Sequence, residues 1–304
     1  MTHLATPVVL FIYKRSETSL RVLQRISQVK PSKLFLIADG PKGDNEKKEC
    51  LKTRKLIEEK IDWECKLRKI YANSNLGLAK RVQTGLDTVF KEVEKAIILE
   101  DDTLPDLSFF RFCEELLIRF ENDKRIAHIS GCNFHTDGFD INTSYLFSSI
   151  INVWGWATWK RSWINFNISM PTWEQIDKNK FLSKWCLNKT HLKGTLDMFE
   201  LHCNNHDPWA WSYQWIFACW EKNALSILPK YNLVSNIGIG PSASNTKSET
   251  TIDYFPSLPQ KLIFPLNHTS VNRNTNFEIY YYKKQELKLS RKFKNLIKSI
   301  LNKF

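Results

Sequence analysis

The stretch "KAIILEDDTLPDLSFF" (Lys95–Phe110) decides how this chain is read. Ala96-Ile97-Ile98-Leu99 is short, continuous and apolar, the pattern of a strand buried on both faces. Glu100, Asp101 and Asp102 follow at its carboxyl end. Like charges this close repel, and each raises its neighbours' pKa. Two readings stand at this point. Either a cation neutralises the patch, or the triplet is a solvated acidic turn with Asp106 capping the next helix.

Outward from this stretch, the first part of the chain alternates. "PVVLFIY" (Pro7–Tyr13), "KLFLIADG" (Lys33–Gly40) and "ECKLRKIY" (Glu64–Tyr71) read as strands. Glu17–Val29 and Glu46–Lys60 carry apolar residues at helical spacing. Gly77 opens a third helix, with Leu78, Val82, Leu86, Val89 and Phe90 on one stripe, and Asp106 opens a fourth. Repeated strand–helix units predict an α/β fold, a parallel sheet covered by helices on both faces. Ligands of such sheets bind at the strands' carboxyl ends. Arg15, Asp39 and the acidic triplet all fall there, which favours the cation reading.

The second part loses the alternation. "SYLFSSIINVWGWATWKRSW" reads as strands with a tryptophan-rich turn, Pro171–His202 as helical, Asp207–Trp220 as an aromatic helix and "LSILP" as a strand. Trp154, Trp156 and Trp159 are candidates to stack on sugar faces, with core packing as the alternative. Gly155, between two tryptophans, marks a close backbone approach or a sharp turn. Towards the C-terminus, Leu289, Phe293, Leu296, Ile297, Ile300, Leu301 and Phe304 form one stripe with lysines opposite. Such a helix lies on an anionic membrane, docks on the body or pairs with another subunit.

The net charge of +12 points to an anionic partner: a nucleotide diphosphate or an acidic membrane surface. Nucleic acid is set aside, because no nucleic-acid-binding module is recognised. The 7 cysteines include no C-x-x-C pair, which suits a reducing compartment and argues against a zinc site. No leader or membrane span is read, so a cytoplasmic location is expected, peripheral on the membrane's inner face if the tail binds it.

Seven segments carry a resemblance: "YKRSETSLRVLQRI", "LIADGPKGD", "NLGLAKRVQTGLDTVF", "IILEDDTLPDLSFFRF", "RIAHISGCNF", "NVWGWATWKRSW" and "NALSILPKYNLVSNIG". In this order, over roughly Pro7 to Thr246, the chain resembles the GT-A glycosyltransferases, within them the N-acetylglucosaminyltransferase I type and its bacterial relatives. The resemblance implies a Rossmann-like, mostly parallel sheet flanked by helices. Residues 1–135 would be its nucleotide-sugar half, 136–270 the acceptor-binding half of the same domain and 271–304 a basic tail. It implies transfer of N-acetylglucosamine or another hexose from a UDP-sugar to a hydroxyl of a surface glycan, free or lipid-linked, with inversion.

Carried over by position, Arg15 and Asp39 contact the nucleotide, Asp39 through the uracil. Glu100 and Asp101 contact the donor, and Asp102 binds the metal, Mn²⁺ or Mg²⁺. In an extended segment Asp102 would face the metal and Asp101 the ribose, on opposite sides. Arg81 stands where animal members carry a nucleotide-contacting histidine. The animal pattern for the base aligns with Ser212 or Tyr213, neither a convincing base. The bacterial Asp-x-Trp-Ala pattern matches Asp207–Ala210 and makes Asp207 the base, with a helix N-cap as the alternative role. Asn245 replaces a histidine common in relatives, which removes a charge from the donor side. Two rival readings are a sugar-nucleotide pyrophosphorylase, disfavoured because "YKRSETS" lacks glycine, and a catalytically inactive assembly protein at the membrane.

Overall fold

The computed structural model describes residues 3–135, 137–203, 210–238 and 259–286. Four parallel strands form its first half: β1 (Val8–Ile12), β2 (Lys33–Ala38), β3 (Lys66–Tyr71) and β4 (Lys95–Glu100). They lie in the order β3-β2-β1-β4, with β1 central. The helices α1 (Ser16–Val29), α2 (Asp44–Glu59) and α3 (Leu78–Glu92) connect them.

Because side chains alternate along a strand, each strand feeds both faces. Val8, Leu10, Ile97 and Leu99 pack with α1 and the later helix α4 (Leu107–Arg119) on one face. Val9, Phe11, Ile98 and the α3 stripe pack with an aromatic cluster on the other. The run at Ala96–Leu99 is thus buried on both sides, as its composition predicts.

Beyond β4 the sheet becomes mixed. A short strand β5 (Thr103–Pro105), then α4, leads to β6 (Ile126–Ser130), β7 (Tyr145–Ser148) and β8 (Trp156–Trp159). β8 runs antiparallel between β4 and β6, bringing the tryptophan-rich turn back against the parallel strands. A single turn of helix, α5 (Lys160–Trp163), follows. β9 (Leu225–Pro229) lies parallel to β6, β7 closes the edge, and β10 (Val234–Asn236) pairs with β5 in a small second sheet. The result is the helix-flanked, Rossmann-like α/β fold expected.

The segment Pro171–His202 is not one helix. It divides into a 3-10 turn (Trp173–Gln175), α6 (Lys178–Ser183) and α7 (Lys189–Cys203). Asp177 accepts from the Lys180 N–H at 3.0 Å and Asn188 from the His191 N–H at 2.8 Å, so each break is capped by a side chain. The aromatic helix α8 spans Ser212–Glu221, shorter than the Asp207–Trp220 expected, and the start of that stretch lies outside the described residues. The stripe from Leu289 to Phe304 also lies outside them. Among the described residues no helix is long and apolar enough to cross a membrane.

Candidate functional site

The buried strand β4 ends at Glu100, and the chain turns at once. The Thr103 hydroxyl accepts from the Glu100 N–H at 2.8 Å and donates to the Glu100 carbonyl at 3.0 Å, closing a tight loop. Extended alternation therefore stops at Glu100. Asp101 and Asp102 do not face opposite sides as expected, because both turn onto one cation. That cation is Arg15, at the start of α1. Its Nη2 donates to Asp101 Oδ1 and, at 2.9 Å, to Asp102 Oδ2, while Nε reaches Asp101 Oδ2 at 3.3 Å.

One guanidinium thus holds two of the three carboxylates, and Glu100 is outside its hydrogen-bond reach. Burial, with Asp102 and Asp101 beside it, raises the Glu100 pKa well above the ordinary carboxylate range. Burial also raises Asp101, against the pull of Arg15. The patch is short of positive charge. Its donors are all oxygen, the set that hard divalent cations take. Among the described residues no group of three or more side chains forms a self-sufficient metal cage.

The carboxylates line one end of a cleft of about 470 Å³ with Tyr13, Arg15, Asp39, Lys42, Asn75, Arg81, Trp154, Asn236 and Gly238. Its floor is the carboxyl ends of the parallel strands. Asp39, just past β2, is 8% exposed. Its Oδ1 accepts from the Gly40 and Leu76 N–H groups, both at 2.9 Å, and its Oδ2 from Asn75 Nδ2 at 3.0 Å and the Gly77 N–H at 3.2 Å. Each oxygen already holds two donors. Asp39 shapes the wall formed by Asn75–Gly77, and the uracil contact expected of it would need a fifth donor.

Arg81, in the first turn of α3, is 7% exposed. Tyr13, at the end of β1, donates to Glu46 and accepts from Asn75 Nδ2 at 3.2 Å. Glu46 also binds Lys14 at 2.6 Å and the Lys42 N–H at 3.0 Å, contacts that with Tyr13 hold its carboxyl at about 2.

On the opposite wall, half-buried Trp154 packs edge-on against Phe134 at 5.3 Å. Gly155 follows with φ +63°, and a Cβ there would stand 2.7 Å from Val234. The glycine is needed for both turn and close approach. Trp156 is not a cleft residue, which corrects its place among the candidates. At 1% exposure it stacks on His128 at 5.2 Å within the aromatic core, since β8 points successive side chains to opposite faces. Trp159 is equally buried.

Arg15, Asp39, Arg81, Glu100, Asp101, Asp102 and Trp154 therefore share one cleft. Asp207 and Asn245 lie outside the described residues. Sequence reasoning missed Tyr13, Lys42, Asn75 and Gly238; the Asn-x-Gly at Asn75–Gly77 is the signal that could have found the wall. A larger groove of about 610 Å³, between α1, α4 and residues 261–264, also holds two carboxylates. Both are committed there: Asp106 caps α4 through the Ser108 N–H at 2.8 Å, and Glu114 takes the Ala5 and Thr6 N–H groups at 2.9 Å.

No family model and no curated protein matches the chain. Among solved structures it is similar to the mannosyltransferase PcManGT from Pyrobaculum calidifontis in complex with GDP-Man and Mn²⁺, at 15% identity and TM-score 0.39. That alignment covers 55% of this chain and 48% of the mannosyltransferase, about half of each. HddC from Yersinia pseudotuberculosis aligns at 13% identity and TM-score 0.32, over 52% of this chain and 78% of its own. The 4-diphosphocytidyl-2C-methyl-D-erythritol synthase from Anaerococcus prevotii aligns at 10% identity and TM-score 0.35, over 64% and 84%. These are likenesses in fold alone.

Proposed function

We propose that this chain is a divalent-metal-dependent glycosyltransferase of the N-acetylglucosaminyltransferase I type. It moves N-acetylglucosamine or another hexose from a UDP-sugar to a hydroxyl of a surface-glycan acceptor, free or lipid-linked. One observation supports this reading above the others: of three carboxylates crowded at the end of β4, only Asp101 and Asp102 are paired, both with the same guanidinium, at the mouth of a cleft. A cation and a diphosphate would complete that charge balance.

Asp102 would hold Mn²⁺ or Mg²⁺, which supplies positive charge to the departing diphosphate. Arg15 adds a fixed positive charge at the same end. Trp154 offers an aromatic face to a sugar ring. Asp207 takes the proton of the acceptor hydroxyl as its oxygen bonds to the anomeric carbon. The bond from that carbon to the diphosphate oxygen breaks on the opposite face, so the centre inverts. The work is cytoplasmic, with the basic tail resting on an anionic membrane that presents the acceptor.

The experiment is a panel of UDP-sugars with and without Mn²⁺, read as thermal shift and as slow UDP release without acceptor. Metal-dependent release from one donor is the expected result. Absence of any nucleotide binding would leave an assembly protein instead.

A further inference from the structure

The groove between α1, α4 and residues 261–264 shares no lining residue with the carboxylate cleft. Leu4, Val29, Leu107, Phe110, Leu262 and Phe264 give it apolar walls, and Arg25, Arg111 and Lys261 stand around them. Among the described residues none of these three cations forms an ion pair, and Arg111 lies over the Phe264 ring at 4.1 Å. The two carboxylates of the groove are bonded to backbone N–H groups instead.

Beside the groove, aliphatic side chains are held out in water. Ile263 is 78% exposed and Ile118 is 59% exposed. Ile263 sits on a fixed backbone. The Gln260 N–H donates to the Asn232 carbonyl at 2.8 Å, the Leu262 N–H donates to the Ser108 hydroxyl at 3.0 Å, and the Leu262 side chain is buried. Ile118 follows Arg111 by about two turns of α4 and so lies on the same helix face. Glu115, the acid on that face, is 3.4 Å from His268 Nε2. A single exposed isoleucine needs no explanation, but exposed aliphatic groups and unpaired cations around one apolar groove do.

Charge decides what covers them. A second copy of this chain fits poorly, because a twofold contact sets the patch against itself and Arg111 and Lys261 against their own counterparts. Residues 287–304 fit no better, since their charged side chains are all lysine or arginine. An anionic bilayer meets both demands: its headgroup phosphates accept from the cations, and its acyl boundary takes the aliphatic groups.

We propose that this face docks on an anionic phospholipid membrane, with phosphates among Arg25, Arg111 and Lys261 and with Ile263 in the acyl boundary. The proposal rests on the membrane-borne acceptor proposed above, and gives the folded body a lipid contact besides the tail. It also sets a distance. Arg25 follows Arg15 along α1 by ten residues, about 15 Å, the length a lipid-linked acceptor must span to reach the carboxylates.

The test is co-sedimentation of the full chain with vesicles of phosphatidylcholine alone, and of phosphatidylcholine mixed with phosphatidylglycerol. Binding to the mixed vesicles only is expected. Lys261→Glu should weaken it roughly 5-fold or more and Ile263→Asp roughly 10-fold or more, with melting curves and UDP affinity unchanged. Ile164→Asp, at a side chain 77% exposed just after α5, should change nothing. An equal loss in Ile164→Asp overturns the proposal. Binding that neither Lys261→Glu nor Ile263→Asp weakens overturns it too, and leaves the tail reading standing. A native dimer that Ile263→Asp dissolves assigns the face to a second copy and likewise overturns it. If the native chain binds no vesicle, docking face and tail reading fall together, while UDP titration in Mn²⁺ decides the donor reading separately.

Discussion

Gly238 lies directly against Asp102. A Cβ on Gly238 would stand 2.4 Å from Asp102 Oδ2 and 2.5 Å from Arg15 Nη1. The neighbouring Ile237 N–H donates to the Asp102 carbonyl at 2.8 Å, so this short segment is bound to the carboxylate turn it covers. Gly238→Ala is expected to push the Asp102 carboxylate aside while leaving the distant core untouched. Manganese-dependent UDP affinity should fall roughly tenfold or more, about 1.4 kcal/mol. Titration beside a melting curve checks it, and unchanged affinity would show that the turn yields freely.

Asp102→Ala removes the carboxylate proposed to hold the ion. UDP-sugar binding should lose its dependence on Mn²⁺ with the fold intact, seen as identical thermal shifts with and without metal. A persisting metal response would move the ion to another carboxylate.

Asp39→Asn keeps the shape and removes half of the accepting capacity. The new amide must face donors it cannot accept from, either at Leu76 and Gly40 or at Asn75 and Gly77. A loss of about 2 kcal/mol is expected for a buried group bonded in this way. Melting temperature and UDP affinity should fall together, because the same wall serves both. Loss of affinity alone would show that Asp39 touches the ligand.

Trp154 and Trp156 should separate cleanly. Trp154→Ala is expected to weaken sugar-nucleotide or acceptor binding with little loss of stability. Trp156→Ala should cost about 3–5 kcal/mol, because its ring is enclosed by His128, Trp211 and Trp215. Paired urea melts and donor titrations measure the contrast.

His128 predicts an acid-sensitive core. Trp215 Nε1 donates to its Nδ1 at 3.1 Å, so the proton sits on Nε2, which donates to the Asn152 carbonyl at 3.0 Å. Burial depresses its pKa to about 3, from an ordinary 6.5. Between those values the unfolded chain takes up a proton that the folded chain refuses, so stability falls as pH drops through this window. Above pH 6.5 the group has no effect. Urea midpoints from pH 7.5 to 4.5 should decline less steeply in His128→Gln than in the native chain; parallel slopes would assign the decline elsewhere.

Much of this was legible in the residue order, for a physical reason. The Ala96–Leu99 run, the α3 stripe and the Asp106 cap are local patterns, set by burial period and by one nearby hydrogen bond. The convergence of Arg15, Asp39 and the acidic triplet was legible too, because strand carboxyl ends gather on one edge of a parallel sheet. What stayed hidden is long-range. The grip of Arg15 on two aspartates spans more than 80 positions. Neither the filling of Asp39 by the Asn75–Gly77 wall nor the insertion of β8 beside β4 has a local signature. Thr103 closes the turn at Glu100 from which Asp101 and Asp102 reach Arg15, and a hydroxyl three residues after a strand end is too common to announce it.

The antiparallel seat of β8 has a practical consequence. A cut at residues 135/136 would strip β4 of its outer neighbour and β6 of its inner one. Ile97 and Ile98 would then offer open backbone groups along a flat apolar edge, an invitation to self-association. Residues 1–135 expressed by themselves should precipitate, so truncation is the wrong instrument for dissecting this chain. Point substitutions within the whole are the right one.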